Sequence, residues 1–231
     1  MDKPLKIQRA NLETCGLETD FVVVIDVLRA FTTAAVAFAQ GAHEIILVST
    51  AEELFSLSSS YPGSLMIGEI NGIPIDGVDY GNSPSAIKKV DLSGRSLIQR
   101  TTAGTQGVLR SSNARYLLAT SLCCLTATLR YIEWVQPSSL TLVESGVFEG
   151  GWGDEDKACA DLIEARLLKK EIDQEEILDR VAKSKSGEKY RGWENQIFPR
   201  EDLIIASEID RYNFAMKVTL ESNLHFLRTV K

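Results

Sequence analysis

The chain has 231 residues, 44% of them hydrophobic, and carries 25 Lys and Arg against 32 Asp and Glu for a formal charge of −7. That length suits one large domain or two tightly joined ones, and the acidic balance excludes binding built on neutralising a nucleic-acid backbone. No run approaches the roughly 20 apolar residues of a membrane span, and the four cysteines form no C-x-x-C pair.

The first two thirds alternate between strand and helix patterns. Phe21 to Ile25 (FVVVI) is a continuous apolar run, as in a strand buried on both faces. Ala30 to Gln40 follows with Phe31, Ala34, Ala35 and Phe38 at helical spacing and Gly41 as a stop. Glu44 to Val48 is the next strand, and Thr50 with Glu53 forms a capping box opening a helix. Leu65 to Ile70 is a third strand, followed by a Gly, Pro, Asp and Asn-rich loop to Ser83. Ser83 before Pro84 reads as a helix cap with proline at the first helical position.

Ser96 to Thr102 and Tyr116 to Ser121 are further strands, separated by a turn with Gly104 and a short helix. Leu125 to Trp134 reads as a helix, Leu140 to Glu144 as a last buried strand and Glu155 to Lys170 as a strongly patterned helix. This alternation predicts an α/β fold of three layers, α/β/α, with a largely parallel or mixed sheet. From Glu171 the chain is charged and expected to be mostly helical, with a loop from Ser184 to Pro199. The expected division is therefore a catalytic core over 1–170 and a helical C-terminal extension over 171–231 packed on it. A homodimer through that extension is one arrangement left open. An N-terminus without an apolar h-region and unpaired cysteines give the expectation of a reduced, cytoplasmic protein with no membrane partner.

Ligands of open α/β sheets bind outside the carboxyl ends of the strands. Polar groups gather at those ends here. The first strand runs into Asp26, Arg29, Thr32 and Thr33, and the third into Glu69 and then Asp79, Asn82 and Ser83. The fourth runs into Arg100, Thr101, Thr102, Gly104 and Thr105, and the sixth into Glu144, with Asp154, Glu155 and Asp156 shortly after. Each piece has a plain reading: Asp26 as a helix cap, Thr101 to Thr105 as a strand-to-helix turn, the acidic triplet as a helix's first turn. Their convergence instead suits a metal ion holding a phosphate. The only histidines are His43 and His225, too few for an imidazole-built zinc site, so carboxylates are expected to hold the metal, which points to Mg²⁺. No P-loop, G-x-G-x-x-G or G-x-S-x-G motif occurs, and Leu28 occupies the second acidic position of a D-x-D phosphatase element.

Four stretches carry a family resemblance: VIDVLRAFTTAAVAFAQGA (Val24 to Ala42), GEINGIPIDGVDYGNSPSAI (Gly68 to Ile87), RTTAGTQG (Arg100 to Gly107) and GDEDKACA (Gly153 to Ala160). In this order they resemble the 2-phosphosulfolactate phosphatase family over roughly the first 170 residues. The resemblance implies a Mg²⁺-dependent phosphatase with a three-layer α/β/α fold, converting phosphosulfolactate to sulfolactate and phosphate in coenzyme M synthesis. The chain departs from the family pattern at Arg100, at Ala103 within T-T-N-G-T, and at Glu144-Ser145-Gly146, where Cys-Ala-Gly is common.

The roles expected on this reading are as follows. Asp26, Glu69, Asp79 and Asp156 are the candidate metal ligands. Arg29 and Arg100 neutralise the phosphoryl and acidic groups. Thr32, Thr33, Thr101, Thr102, Gly104 and Thr105 cradle anionic oxygens, while Asn82 and Ser83 orient the ester. Glu144 or Glu155 serves as general acid or base, and either water or Asp26 attacks phosphorus. The substrate is a small phosphate ester, either 2-phosphosulfolactate or a related phosphorylated hydroxy acid. The rival is a non-catalytic anion-binding or regulatory protein that keeps the fold.

Overall fold

The computed structural model describes residues 5–17, 19–148, 152–192 and 195–231. Glu149 to Gly151, in the glycine-rich loop after the last expected strand, and two residues of the 184–199 loop lie outside the described residues. The strands are β1 (Lys6–Ala10), β2 (Phe21–Ile25), β3 (Glu44–Leu47), β4 (Leu65–Ile70), β5 (Ile73–Pro74), β6 (Ser96–Arg100), β7 (Tyr116–Thr120), β8 (Ser139–Glu144), β9 (Ala215–Glu221) and β10 (Leu224–Val230). The helices are α1 (Ala30–Ala39), α2 (Ala51–Ser60), α3 (Pro84–Ile87), α4 (Gly104–Arg110), α5 (Leu125–Val135), α6 (Asp154–Leu167), α7 (Gln174–Lys183), α8 (Lys185–Glu188) and α9 (Arg200–Ala206).

The strands form one mixed sheet in the order β1-β8-β2-β7-β9-β10-β3-β6-β4-β5. Side chains alternate across it because a strand's period is two. Val22 and Val24 face a core with Phe31 and Ala34 of α1, Ile87 of α3 and Val108 of α4. Phe21, Val23 and Ile25 face the other side, against Leu129 of α5, Cys159 and Ile163 of α6 and Ile177 of α7. Ile46 and Ile98 cover Leu54 of α2. A five-residue apolar strand is thus what a sheet covered on both faces requires. The three-layer α/β/α architecture with a mixed sheet is the fold.

Local signals act as expected in the first two thirds. Thr50 and Glu53 make both bonds of the capping box. The Ser83 side chain accepts a hydrogen bond from the Ala86 amide, with Pro84 inside the first turn of α3.

The C-terminal third departs from a helical extension. It is helical through α9 and ends in the β9–β10 hairpin, which sits in the middle of the sheet. β9 pairs antiparallel with β7, and β10 pairs antiparallel with β3. The hairpin therefore joins two blocks, the parallel set β1-β8-β2-β7 and the set β3-β6-β4, which among the described residues share no other strand pairing. Its turn, Ser222 and Asn223, takes positive φ at both residues (49° and 65°) between the paired Glu221 and Leu224, the geometry of a two-residue hairpin.

Three antiparallel pairings, β7–β9, β9–β10 and β10–β3, follow one another between the blocks, so the parallel strands of one block run opposite to those of the other before the accumulated twist is counted. Five steps separate β2 from β6; at about 20–25° each, the twist is enough to swing the carboxyl ends of the two blocks toward one another. The cavity described next is lined from both.

Candidate active site

A cavity of about 340 Å³ lies where the chain leaves β2, β4, β6 and β8. Asp26 enters it directly from β2. One oxygen, Oδ1, accepts from the Ala30 amide at 2.9 Å, so the plain reading of Asp26 as a helix cap holds for half of the carboxylate. The other, Oδ2, lies where the N-terminus of α4 arrives. A Cβ on Gly104 would stand 2.7 Å from it and 2.7 Å from Ala30 Cβ, so only glycine lets α4 come this close. Burial, with Glu69 and Glu155 nearby, raises the Asp26 carboxyl to about 7 despite amide hydrogen bonds from Ala30 and Gly104.

Asp156 and Glu155 reach the cavity from the first turn of α6. Both oxygens of Asp156 are engaged. Oδ1 accepts from the Val27 amide at 2.9 Å and Oδ2 from the Gly146 amide at 2.7 Å. Burial, and then the charges of Glu155 and Asp26, push its carboxyl well above the usual range. Glu155 is 3% exposed, and its Oε2 has no hydrogen-bond partner among the described residues.

Glu69 faces the cavity from β4, yet its oxygens too are engaged. Oε1 accepts from the Thr102 amide at 2.6 Å, and Oε2 from the Thr102 hydroxyl at 3.0 Å and from the Gly72 amide. Glu69 clamps the loop after β6 to the loop after β4. Of the four carboxylates lining the cavity, Glu155 is the one that keeps an oxygen with no hydrogen-bond partner among the described residues.

The cavity brings together Asp26, Arg29, Glu69, Asn82, Thr102, Glu155 and Asp156 of the residues singled out in the sequence. Gly104 borders it through its contact with Asp26. The others are placed elsewhere. Asp79 is exposed and accepts from the Met66 amide at 2.7 Å, because the loop doubles back along β4 and returns it to the strand's amino end. Glu144 binds Arg9 at 2.8 Å, and burial raises its carboxyl above the ordinary value. Arg100 directs Nη1 at the Glu69 carbonyl (2.7 Å) and Nε at the Ser49 carbonyl (3.2 Å). Thr32 donates to the Val27 carbonyl, and the Thr33 hydroxyl is buried without a partner among the described residues. Thr101 and Thr105 bond one another reciprocally, amide to hydroxyl, at 2.9 and 3.0 Å. Ser83 donates to Asp202 at 2.9 Å.

Arg29 lines the cavity but is fixed on all sides. Nη1 donates to Asp202 at 2.9 Å and to the Ile197 carbonyl at 2.8 Å, and Nη2 donates to the Gly72 carbonyl at 3.0 Å. The rings of Tyr190 and Phe198 lie 5.6 and 5.1 Å from its guanidinium carbon. Burial holds the Tyr190 phenol well above its ordinary value.

The remaining walls come from residues the sequence reading did not single out: Phe148, Trp152, Lys185, Lys189, Tyr190 and Phe198. Most belong to the stretch expected to be a loop. No motif marks them, since an aromatic residue or lysine there is equally at home on a solvated surface.

Known proteins resemble this chain over most of its length. A family model described as 2-phosphosulpholactate phosphatase matches residues 8–217. A protein of Bacillus subtilis (strain 168), named "Probable 2-phosphosulfolactate phosphatase", is 32% identical over 212 residues, covering 91% of this chain and 92% of its own. One of Synechocystis sp. with the same name is 37% identical over 180 residues, covering 77% of this chain and 73% of its own. The family match takes in Asp26 to Asp156 and runs well past the first 170 residues, so the chain belongs to the 2-phosphosulfolactate phosphatase family.

Proposed function

We propose that this protein is a Mg²⁺-dependent phosphatase that hydrolyses a small acidic phosphate ester, 2-phosphosulfolactate or a close phosphorylated hydroxy acid. The substrate is the one named for its relatives. The observation that carries the reading is the pair Asp26 and Glu155, buried carboxylates in one cavity, Glu155 with an oxygen that has no partner among the described residues.

The donor set fits a hard divalent ion. Among the described residues no three His, Cys, Asp or Glu side chains are grouped as a protein cage. Mg²⁺ does not need one, because it is bound through one or two carboxylates and keeps several waters. A carboxyl raised to about 7 is a group awaiting a cation, and an orphaned buried oxygen on Glu155 is costly without a partner. Asp26 would hold the ion, with Glu155 within the same cavity. When bound, Mg²⁺ supplies charge neutralisation at the phosphoryl oxygens and a more acidic water.

The chain's own residues do the rest. Glu155 accepts a proton from the attacking water through its open oxygen as the ester's phosphorus–oxygen bond breaks, and the departing alkoxide takes its proton from solvent. Thr102, pinned by Glu69, and Ala103 present the start of α4 to the phosphoryl end of the cavity. Asn82, 4% exposed and lining the cavity, orients the ester. Arg29 holds the loops after β2 and β4 to the C-terminal segment, and so keeps the cavity's shape. Calorimetric titration of the wild type and Glu155→Gln with Mg²⁺, alongside phosphate release from phosphorylated hydroxy acids with and without chelator, tests the reading. Wild-type turnover that survives exhaustive chelation would refute it.

A further inference from the structure

Both arginines that the sequence offers for anion binding are committed to other groups. Arg29 is held by Asp202 and two carbonyls, and Arg100 by the carbonyls of Glu69 and Ser49. Among the described residues the cavity wall carries four carboxylates, those of Asp26, Glu69, Glu155 and Asp156. A multiply charged anion approaching them meets a repulsive field unless cations nearby offset it. Besides Arg29, the cations lining the cavity are Lys185 and Lys189.

The chain delivers both to the rim by a tight reversal. Ser184 caps α8 by accepting from the Gly187 amide at 2.9 Å. Gly187 packs so closely on the carbonyls of Val181 and Ala182 that a Cβ has no room. Lys185 and Lys189 are four residues apart across this turn, which puts their side chains on one side. The Lys185 ammonium lies 4.2 Å from the centre of the Trp152 ring, and that of Lys189 5.4 Å from the Phe198 ring. Among the described residues neither makes an ion pair. An ammonium resting on an aromatic face is positioned, yet it keeps donors for an anion.

We infer that Lys185 and Lys189 form the subsite for the second acidic group of the ester, a sulfonate or carboxylate, and thereby set a preference for phosphorylated acids over plain monoesters. This rests on the phosphatase reading for the phosphate end. Ammonium donors rotate freely and suit the three oxygens of a sulfonate as well as the two of a carboxylate, where a guanidinium fork is matched to a planar pair. Trp152 and Phe198 fix the two ammoniums by their rings, and with the lysines taking the acid end and the metal the phosphate end, one small molecule is sorted by charge.

The test compares the wild type with the double variant Lys185→Met, Lys189→Met, in Mg²⁺, on 2-phosphoglycolate and on phenyl phosphate. Both lysines are exposed, and an unchanged melting temperature establishes that the variant is folded. Its loss in kcat/KM is expected to be at least about tenfold greater for phosphoglycolate than for phenyl phosphate, expressed mainly in KM, as for loss of an uncompensated polar contact. Equal losses on the two esters, or none, overturn the proposal. A second arm measures calorimetric binding of sulfoacetate, which has no phosphate to hydrolyse. Binding weakened at least about tenfold in the double variant supports the subsite, even if the wild type hydrolyses neither ester, in which case only the phosphatase reading fails. Sulfoacetate binding that is absent from the wild type or unaffected by the two substitutions overturns the subsite itself.

Discussion

Arg29, in the loop after β2, and Asp202, in α9, form an ion pair of 2.9 Å with side chains only 4% and 0% exposed. Asp202 also accepts from the Ser83 hydroxyl and the Ser85 amide, each at 2.9 Å. The pair therefore ties the start of α1, the start of α3 and the C-terminal segment into one buried network, over which Tyr190 and Phe198 close.

Breaking one partner leaves the other charge buried. Arg29→Met is expected to cost about 3–5 kcal/mol of stability. In a double-mutant cycle with Asp202→Asn, the coupling should be about 1–3 kcal/mol. Urea denaturation of the four proteins measures it. Additive losses would mean that Arg29 and Asp202 do not act as a pair.

Glu69 is a clamp in the structure, with its oxygens on Thr102 and Gly72, whereas its place at a strand end suggests a metal ligand. Glu69→Gln retains one acceptor oxygen and turns the other position into a donor facing donors. The expected loss is about 1.5–3 kcal/mol of stability, with Mg²⁺ binding weakened far less than by Asp26→Asn. Titrating both variants calorimetrically separates a clamp from a ligand. Loss of Mg²⁺ affinity as large in Glu69→Gln as in Asp26→Asn would restore Glu69 to the metal.

The ionisation of Asp26 makes metal-free stability depend on pH. An unfolded aspartate ionises near about 3.9, and Asp26 in the fold near about 7. Between those values the folded state binds more protons, so stability falls as pH rises toward 7. Asp156, also raised, acts in the same direction. The metal-free protein should thus melt at a higher temperature near about pH 6.5 than near about pH 8, and Mg²⁺ should stabilise it more at the higher pH. Below about pH 6.5, the ordinary imidazole value, His225, whose ring burial lowers, works the opposite way, because the unfolded state then takes up the proton. Thermal melts at both pH values, with and without Mg²⁺, check the sign. A metal-free protein more stable at about pH 8 would contradict it.

The C-terminal hairpin is expected to be indispensable. Since β9 and β10 bridge β7 to β3, a chain ending at Asn213 loses the ladder that joins the two blocks among the described residues and exposes both inner edges. It should show no cooperative thermal transition and should aggregate. A soluble truncated chain that melts like the full one would show that the blocks pack without it.

The hairpin also marks where sequence reasoning stops. Strands such as Phe21–Ile25 and caps such as Thr50 and Ser83 are legible because their signals are local: an apolar run or a capping hydroxyl. β9 and β10 carry Lys217, Glu221 and Arg228 and pair with strands far away in the chain. Their burial is decided by partners that periodicity does not reveal. β1, with Lys6, Gln8 and Arg9, is a charged edge strand and hidden for the same reason.

The candidate site divides along the same line. Asp26, Glu155 and Asp156 follow from the rule that ligands sit beyond strand ends, and they do meet in the cavity. That rule cannot tell which carboxylate is spent on backbone amides, as Asp156 and Glu69 are. Nor can it foresee that Asp79 is carried back to the far end of β4. Lys185 and Lys189 were out of reach because their place depends on how the segment after α7 folds over the cavity.

The most direct measurement is phosphate release from 2-phosphosulfolactate by the wild type and by Asp26→Asn, each with Mg²⁺ and with chelator. The account predicts steady release by the wild type in Mg²⁺, none in chelator, and a loss of at least about 100-fold in Asp26→Asn with its melting temperature retained or raised, as for removal of a major electrostatic contact. Undiminished release in chelator, or an Asp26→Asn variant that turns over as fast as the wild type, would contradict it.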